Sequence, residues 1–107
     1  MKYRLRPAAK GDVATQREYY ALELGEPELG SRFVHAVKQT CVAITRSPYG
    51  YPLVKLRLKR CPDLRFRPVR GFPNHLIFYR IERRTVEVMF VVDGRRNLPV
   101  LLAKRKL

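Results

Sequence analysis

Five side chains in the C-terminal two fifths of the chain are of the types that phosphate chemistry uses: Arg67, Arg80, Arg95, Arg96 and His75. A guanidinium presents a planar fork of donors that grips phosphate oxygens in pairs, and an imidazole exchanges protons near neutral pH. His75 stands without an evident partner, and a general base needs one. At the start of a strand it reads as a surface residue. The other histidine, His35, lies off the apolar stripe of a helix and reads as solvated. Cys41 and Cys61 are twenty residues apart with neither a CxxC nor a Cys/His cluster, so neither a zinc site nor another metal or cofactor site is expected. Cys41 falls on an apolar helix face, where a thiol is ordinarily a buried packing group.

These groups sit in a strongly basic chain. Among 107 residues, 23 Lys and Arg face 9 Asp and Glu, a formal net charge of +14. Residues 1–30 hold five of each sign, so the whole excess lies in residues 31–107. Such a field speeds association with nucleic acid or with an acidic protein and does not distinguish them. With 46% apolar residues the chain has material for one core, and a length of 107 fits a single domain over residues 1–107. No apolar run is long enough to span a membrane, and Met1-Lys2-Tyr3-Arg4-Leu5-Arg6 lacks the apolar stretch of a secretory signal, so a cytoplasmic protein without membrane contact is expected.

The elements that must position the arginines follow from periodicity. Tyr3 and Leu5 alternate with basic residues as in a half-buried strand, which Pro7 stops. Ala9, Val13, Tyr20 and Leu24 share one face of a helix from Ala8 to about Leu24, closed by Gly25. Pro27 opens a second helix in which Leu29, Phe33, Ala36, Val37, Thr40, Cys41 and Ile44 recur at spacings of three and four until Ser47-Pro48. The short connection predicts an antiparallel hairpin. Tyr49–Pro62 reads as a loop or irregular strand, with Lys55, Arg57 and Lys59 alternating with Leu56 and Leu58 to give one cationic side.

Three antiparallel strands follow, Leu64–Arg70, His75–Glu82 and Thr85–Val92, with Arg83-Arg84 in an exposed turn. In the last strand, alternation puts Val86, Val88, Phe90 and Val92 on one face and Met89 and Val91 on the other, so both faces need cover. The fold class is α+β: an N-terminal strand and an antiparallel helical hairpin packed on one face of a mainly antiparallel four-stranded sheet.

The run from Leu64 to Ile81, above all Gly71-Phe72-Pro73 followed by Phe78-Tyr79-Arg80, resembles the core of the RelE/ParE toxin superfamily of type II toxin–antitoxin systems. Asp93-Gly94-Arg95-Arg96-Asn97-Leu98-Pro99 is similar to its closing motif, usually His-Gly-x-Arg-Asp, with Asp93 for the usual His and Asn97 for the usual Asp. Pro7-Ala8-Ala9-Lys10-Gly11-Asp12 looks like the opening of the family's first helix, with Tyr19 and Tyr20 in its second half.

The resemblance implies two chemistries. In the RelE branch, a ribosome-dependent mRNA endoribonuclease would draw on Arg67, Arg80, Arg95 and His75. Arg80 and Arg95 would meet at the sheet's end and Arg67 would complete a phosphate clamp. Asp93 speaks against this, because a carboxylate repels a scissile phosphate, and Leu98–Leu107 contains no Tyr or His. The ParE branch is implied to stall DNA gyrase by binding and needs no catalytic set, so the sequence favours it. Both branches imply a toxin–antitoxin hetero-oligomer with an acidic antitoxin that folds on the toxin. Arg80, Met89, Val91, Arg95, Arg96, Leu98 and Leu101 are the candidate contacts for antitoxin or target, with Leu98–Leu102 alternatively completing the core. A degenerate toxin, or a non-toxic basic nucleic-acid-binding protein, would share the charge.

Overall fold

Residues 1–55 and 61–105 are described by the structure, a computed structural model. The proposed cationic alternation through Arg57 and Lys59 therefore lies outside the described residues. In chain order the elements are β1 (Lys2–Leu5), α1 (Pro7–Glu18), a π-helical turn (Tyr19–Glu23), α2 (Pro27–Arg46), β2 (Arg65–Val69), β3 (Phe72–Glu82), β4 (Thr85–Asp93) and α3 (Leu98–Lys104). The strands form one sheet in the order β1-β4-β3-β2, with β1 parallel to β4 and the other two pairings antiparallel. The expected α+β architecture is present.

Pro7 and Pro27 each stand in the first turn of a helix, where the missing N–H leaves no hydrogen bond unmade. In α2, Phe33, Ala36, Val37, Thr40, Cys41 and Ile44 are all buried. Phe33 is fully enclosed, a burial that contributes about 2–3 kcal/mol. Gly30 lets the two helices approach, because a Cβ there would meet the carbonyl oxygen of Arg17 at 2.9 Å. The first helix departs from regular periodicity. Leu24 N–H donates to the Tyr19 carbonyl, an i→i−5 bond that inserts one extra residue. Tyr20 therefore stays in the core beside Phe33 and Phe72, while Leu24, expected on the same face, is 48% exposed.

A second irregularity decides which way β4 faces. Phe78 pairs with Phe90 but Tyr79 pairs with Val88, so Met89 is the extra residue of a β-bulge. Strict alternation fails at that point. Val86, Val88 and Val91 pack under the helices, whereas Met89, Phe90 and Val92 join the cluster on the opposite face. The expectation that Val86, Val88, Phe90 and Val92 share a face is thus corrected by one inserted residue.

That opposite face is covered by α3, which Asn97 caps by accepting from the Val100 N–H, and by the chain around Val54, Cys61 and Leu64. Leu102 is buried there, with Leu98 and Leu101 packed beside it. The irregular segment before β2 contributes a short pairing, with Val54 N–H donating to the Leu64 carbonyl and Phe66 N–H to the Pro52 carbonyl. Among the described residues, no helix is long and apolar enough to cross a membrane.

Candidate functional site

The antiparallel register of β3 and β4 sorts the candidate residues. His75 pairs with Asp93 at one end, and Arg80 pairs with Glu87 toward the other. Five residues of strand separate His75 from Arg80, roughly 16 Å, and Arg95 lies beyond Asp93 at the His75 end. Arg80 and Arg95 therefore do not meet. Arg67 is paired with Ile77, whose side chain is under the helices, and its guanidinium lies 5.1 Å over the Tyr51 ring. Arg80 belongs to the alternate set on β3, 3.4 Å from Glu82, with Nε buried and unpartnered among the described residues. The expected clamp of Arg67, Arg80 and Arg95 is not assembled, because the register spreads the three along and across the sheet.

The residues that do converge are His75, Arg95 and Arg96, in a polar cleft of about 530 Å³ between α1 and the end of β4. Asp93 accepts from Arg95 Nη2 at 2.8 Å and from Arg95 Nε at 3.1 Å, and the bond from this guanidinium holds its carboxyl at about 2. Arg95 is thereby already paired with a carboxylate. His75 is buried rather than at the surface as expected, its ring 5.0 Å from Phe33. Burial lowers its pKa; Asp93 opposes this and Arg95 reinforces it.

Two further members of the cleft were not evident from the sequence. Asp12 on α1 accepts from the Val91 N–H at 3.0 Å and from both terminal nitrogens of Arg105, at 3.2 and 2.8 Å. Strand β1 ends opposite Val88, so the outer edge of β4 needs an acceptor there, and the carboxylate supplies it. Arg105 also lies 4.9 Å over the Phe90 ring, which ties the end of α3 to the sheet. The contact spans 93 residues of sequence, a separation over which local patterns carry no signal.

The apolar candidates divide. Met89 and Val91, proposed as neighbours on an open face, are both buried and lie on opposite sides of the sheet. Leu98 instead lines an apolar groove of about 540 Å³ with Leu53, Val54, Phe66, Leu76 and Phe78, while Leu101, also on α3, is half-buried against the cluster around Leu102. The thiols are packing groups. Burial pushes Cys41 up to about 12 and Cys61 up to about 11, with Asp63 adding to the latter and Arg80 opposing it. Among the described residues, no group of three or more His, Cys, Asp and Glu is placed to hold a metal ion.

A helical hairpin on the sheet β1-β4-β3-β2, with basic residues clustered beyond β4, defines an α+β fold of the RelE/ParE type. A family profile described as the ParE toxin of the type II toxin–antitoxin system parDE matches residues 3–98, and the chain belongs to that family. Among solved structures, one described as the chromosomal ParDE TA system from P. aeruginosa superposes with a TM-score of 0.71. The superposition covers 87% of this chain and 95% of that one at 12% identity, a likeness of fold. A search of curated proteins gave no match.

Proposed function

We propose that this ParE-family toxin arrests growth by binding DNA gyrase, without cleaving a substrate of its own, and is neutralised by an acidic antitoxin. One observation carries the choice between binding and cleavage: the register separates Arg80 from Arg95, and among the described residues the cations lining the cleft with the buried His75 are Arg96 and the already paired Arg95 and Arg105. Phosphodiester cleavage requires free cations at the developing charge and an accessible base. A binding toxin requires only a surface.

For the antitoxin, the groove beside Leu53, Phe66 and Leu98 offers apolar pockets bordered by the exposed Lys55. Those features suit an amphipathic acidic segment that folds on contact. Leu98 keeps its candidate role in this reading, Arg95 and Arg96 stand apart in the polar cleft, and Met89 and Val91 act as core.

The direct test is gyrase-catalysed supercoiling with purified toxin, alone and with antitoxin. The expected result is inhibition with accumulation of cleaved DNA, reversed by antitoxin. Unchanged supercoiling at saturating toxin sinks the gyrase assignment, and codon-phased cleavage of translated mRNA, lost in Arg80→Ala, would restore the ribonuclease.

A further inference from the structure

The β2 edge carries two cations, Arg65 and Arg67, that have no carboxylate partner among the described residues. Between residues 29 and 81 the chain holds eleven Lys and Arg and a single acid, Asp63. Among the described residues the ion pairs are Arg4–Glu87, Arg80–Glu82, Arg95–Asp93 and Arg105–Asp12, and none of them involves Arg65 or Arg67. Those two guanidiniums lie instead over aromatic rings, Arg65 at 5.5 Å from the Tyr49 centroid and Arg67 at 5.1 Å from that of Tyr51. Arg65 is fixed in place by bonds to the carbonyls of Tyr51 at 2.6 Å and Tyr49 at 3.3 Å. Arg67 Nη1 is buried and has no partner among the described residues, so this guanidinium presents only part of itself at the surface. Tyr49 is 67% exposed although an arginine packs on it.

We infer that this arginine–tyrosine edge is a binding surface for single-stranded nucleic acid, with Tyr49 stacking on an unpaired base and the part-exposed Arg65 and Arg67 supplying positive charge beside it. Two features select this partner over an acidic protein. An exposed ring backed by a guanidinium is a stacking platform, which an unpaired base uses and a carboxylate does not. The charges are also pre-set by carbonyl and ring contacts, which suits a partner whose own charges recur along a backbone. Tyr49, Arg65 and Arg67 line neither the polar cleft nor the apolar groove at Leu98, which Phe66 borders from the same strand, and the inference does not depend on gyrase as target.

Fluorescence anisotropy of the full chain tests it, using a labelled oligothymidylate of about a dozen nucleotides, an oligouridylate of the same length, a duplex and a poly-glutamate peptide. Oligothymidylate or oligouridylate should bind more tightly than the duplex and the peptide, and the better of the two names the nucleic acid. Tyr49→Leu should weaken single-strand binding roughly tenfold. Arg67→Gln should lower the magnitude of the log–log salt slope by about 0.7. The double variant Lys2→Ala/Lys10→Ala, which removes two exposed cations from the β1 and α1 side, should change affinity less than about twofold. Circular dichroism melts of each variant confirm folding. Equal losses in Tyr49→Leu and in the lysine variant would reduce the effect to net charge and overturn the inference. So would preferred binding of poly-glutamate, or no binding of either single strand.

Discussion

At one edge of the sheet β1 runs parallel to β4, Arg4 reaches the buried Glu87 at 2.7 Å, and just beyond it Asp12 closes the gap where β1 stops. At the other edge β2 carries Arg65 and Arg67 over tyrosine rings, and the hydrogen bonds that fix it end on neutral oxygens. Arg65 bonds the carbonyls of Tyr49 and Tyr51, Tyr79 Oη donates to the Pro48 carbonyl at 2.6 Å, and the Arg70 N–H donates to Thr40 Oγ1. Carboxylates hold the first edge, and among the described residues the second is held without them. On the β1 side Arg4 and Arg105 are paired with carboxylates, whereas among the described residues Arg65 and Arg67 on the β2 side have none.

The largest test of this contrast is Asp12→Ala. The substitution removes one carboxylate that serves both a strand N–H and Arg105, and leaves both donors half-buried. Its expected cost is about 3 kcal/mol, read as a lower urea midpoint with an unchanged m value. Asp12→Asn keeps an acceptor for the Val91 N–H and should lose less. A cost below about 1 kcal/mol for Asp12→Ala would mean that packing under α1, not the carboxylate, closes this edge.

On the β2 side the corresponding change is Tyr79→Phe. Tyr79 is fully buried, and burial pushes its phenol up to about 12, so its hydroxyl stays protonated and donates to the Pro48 carbonyl in the turn after α2. Loss of one neutral bond with an orphaned carbonyl should cost about 1.5 kcal/mol by the same denaturation. If Tyr79→Phe costs more than Asp12→Ala, the contrast between the edges is reversed.

These contacts also mark where sequence reading succeeds. Helix α2 is legible because Pro27, the three-and-four spacing from Leu29 to Ile44 and Pro48 agree on its limits. Strand β4 is legible as a strand but not in its orientation. From Val88 to Val92 every residue is apolar, so alternation carries no information and the bulge at Met89 leaves no trace. The π-turn in Tyr19–Glu23 is silent for a similar reason, since Tyr-Tyr-Ala-Leu-Glu suits any helix. Helix α3 had signals, an Asn97 cap and an early Pro99, inside what reads as a plain apolar run. Asn caps a helix about as well as Asp, so the departure from the family motif at Asn97 preserves the function it has here. The false clamp came from knowing the strands but not their pairing. Only the register places Arg80 beside Glu87 and away from Arg95.

Between the two edges lies the turn joining β3 and β4, where Arg83 and Arg84 both adopt positive φ, 49° and 62°. Both central residues of a tight hairpin turn are then in the left-handed region, which L side chains enter at a cost and which Asn-Gly fits. Arg83→Asn/Arg84→Gly should stabilise the fold by about 1 kcal/mol, visible as a raised melting temperature. Because both side chains are exposed at the turn, single-strand binding at the β2 edge should change little. A marked loss of that binding would extend the charged surface around the sheet and blur the distinction drawn between its edges.

The smallest effect concerns the polar cleft, where a carboxylate and a guanidinium act on His75 with opposite sign. Burial keeps the folded pKa of His75 below its ordinary 6.5, so the unfolded chain binds the proton more readily. The contribution to stability is complete above pH 6.5 and is lost as pH falls through the folded value. Asp93 limits the depression and Arg95 deepens it. Asp93→Asn removes the opposing carboxylate and at the same time releases Arg95 from its pair, and both changes favour neutral imidazole. An NMR titration should therefore find the His75 pKa lower in Asp93→Asn than in the parent, and the loss of stability on acidification should extend to lower pH. A His75 pKa that rises instead would show that Arg95 swings out of the cleft once Asp93 no longer holds it. The cleft would then contain a movable cation and resemble the β2 edge more than the carboxylate-held edge it adjoins.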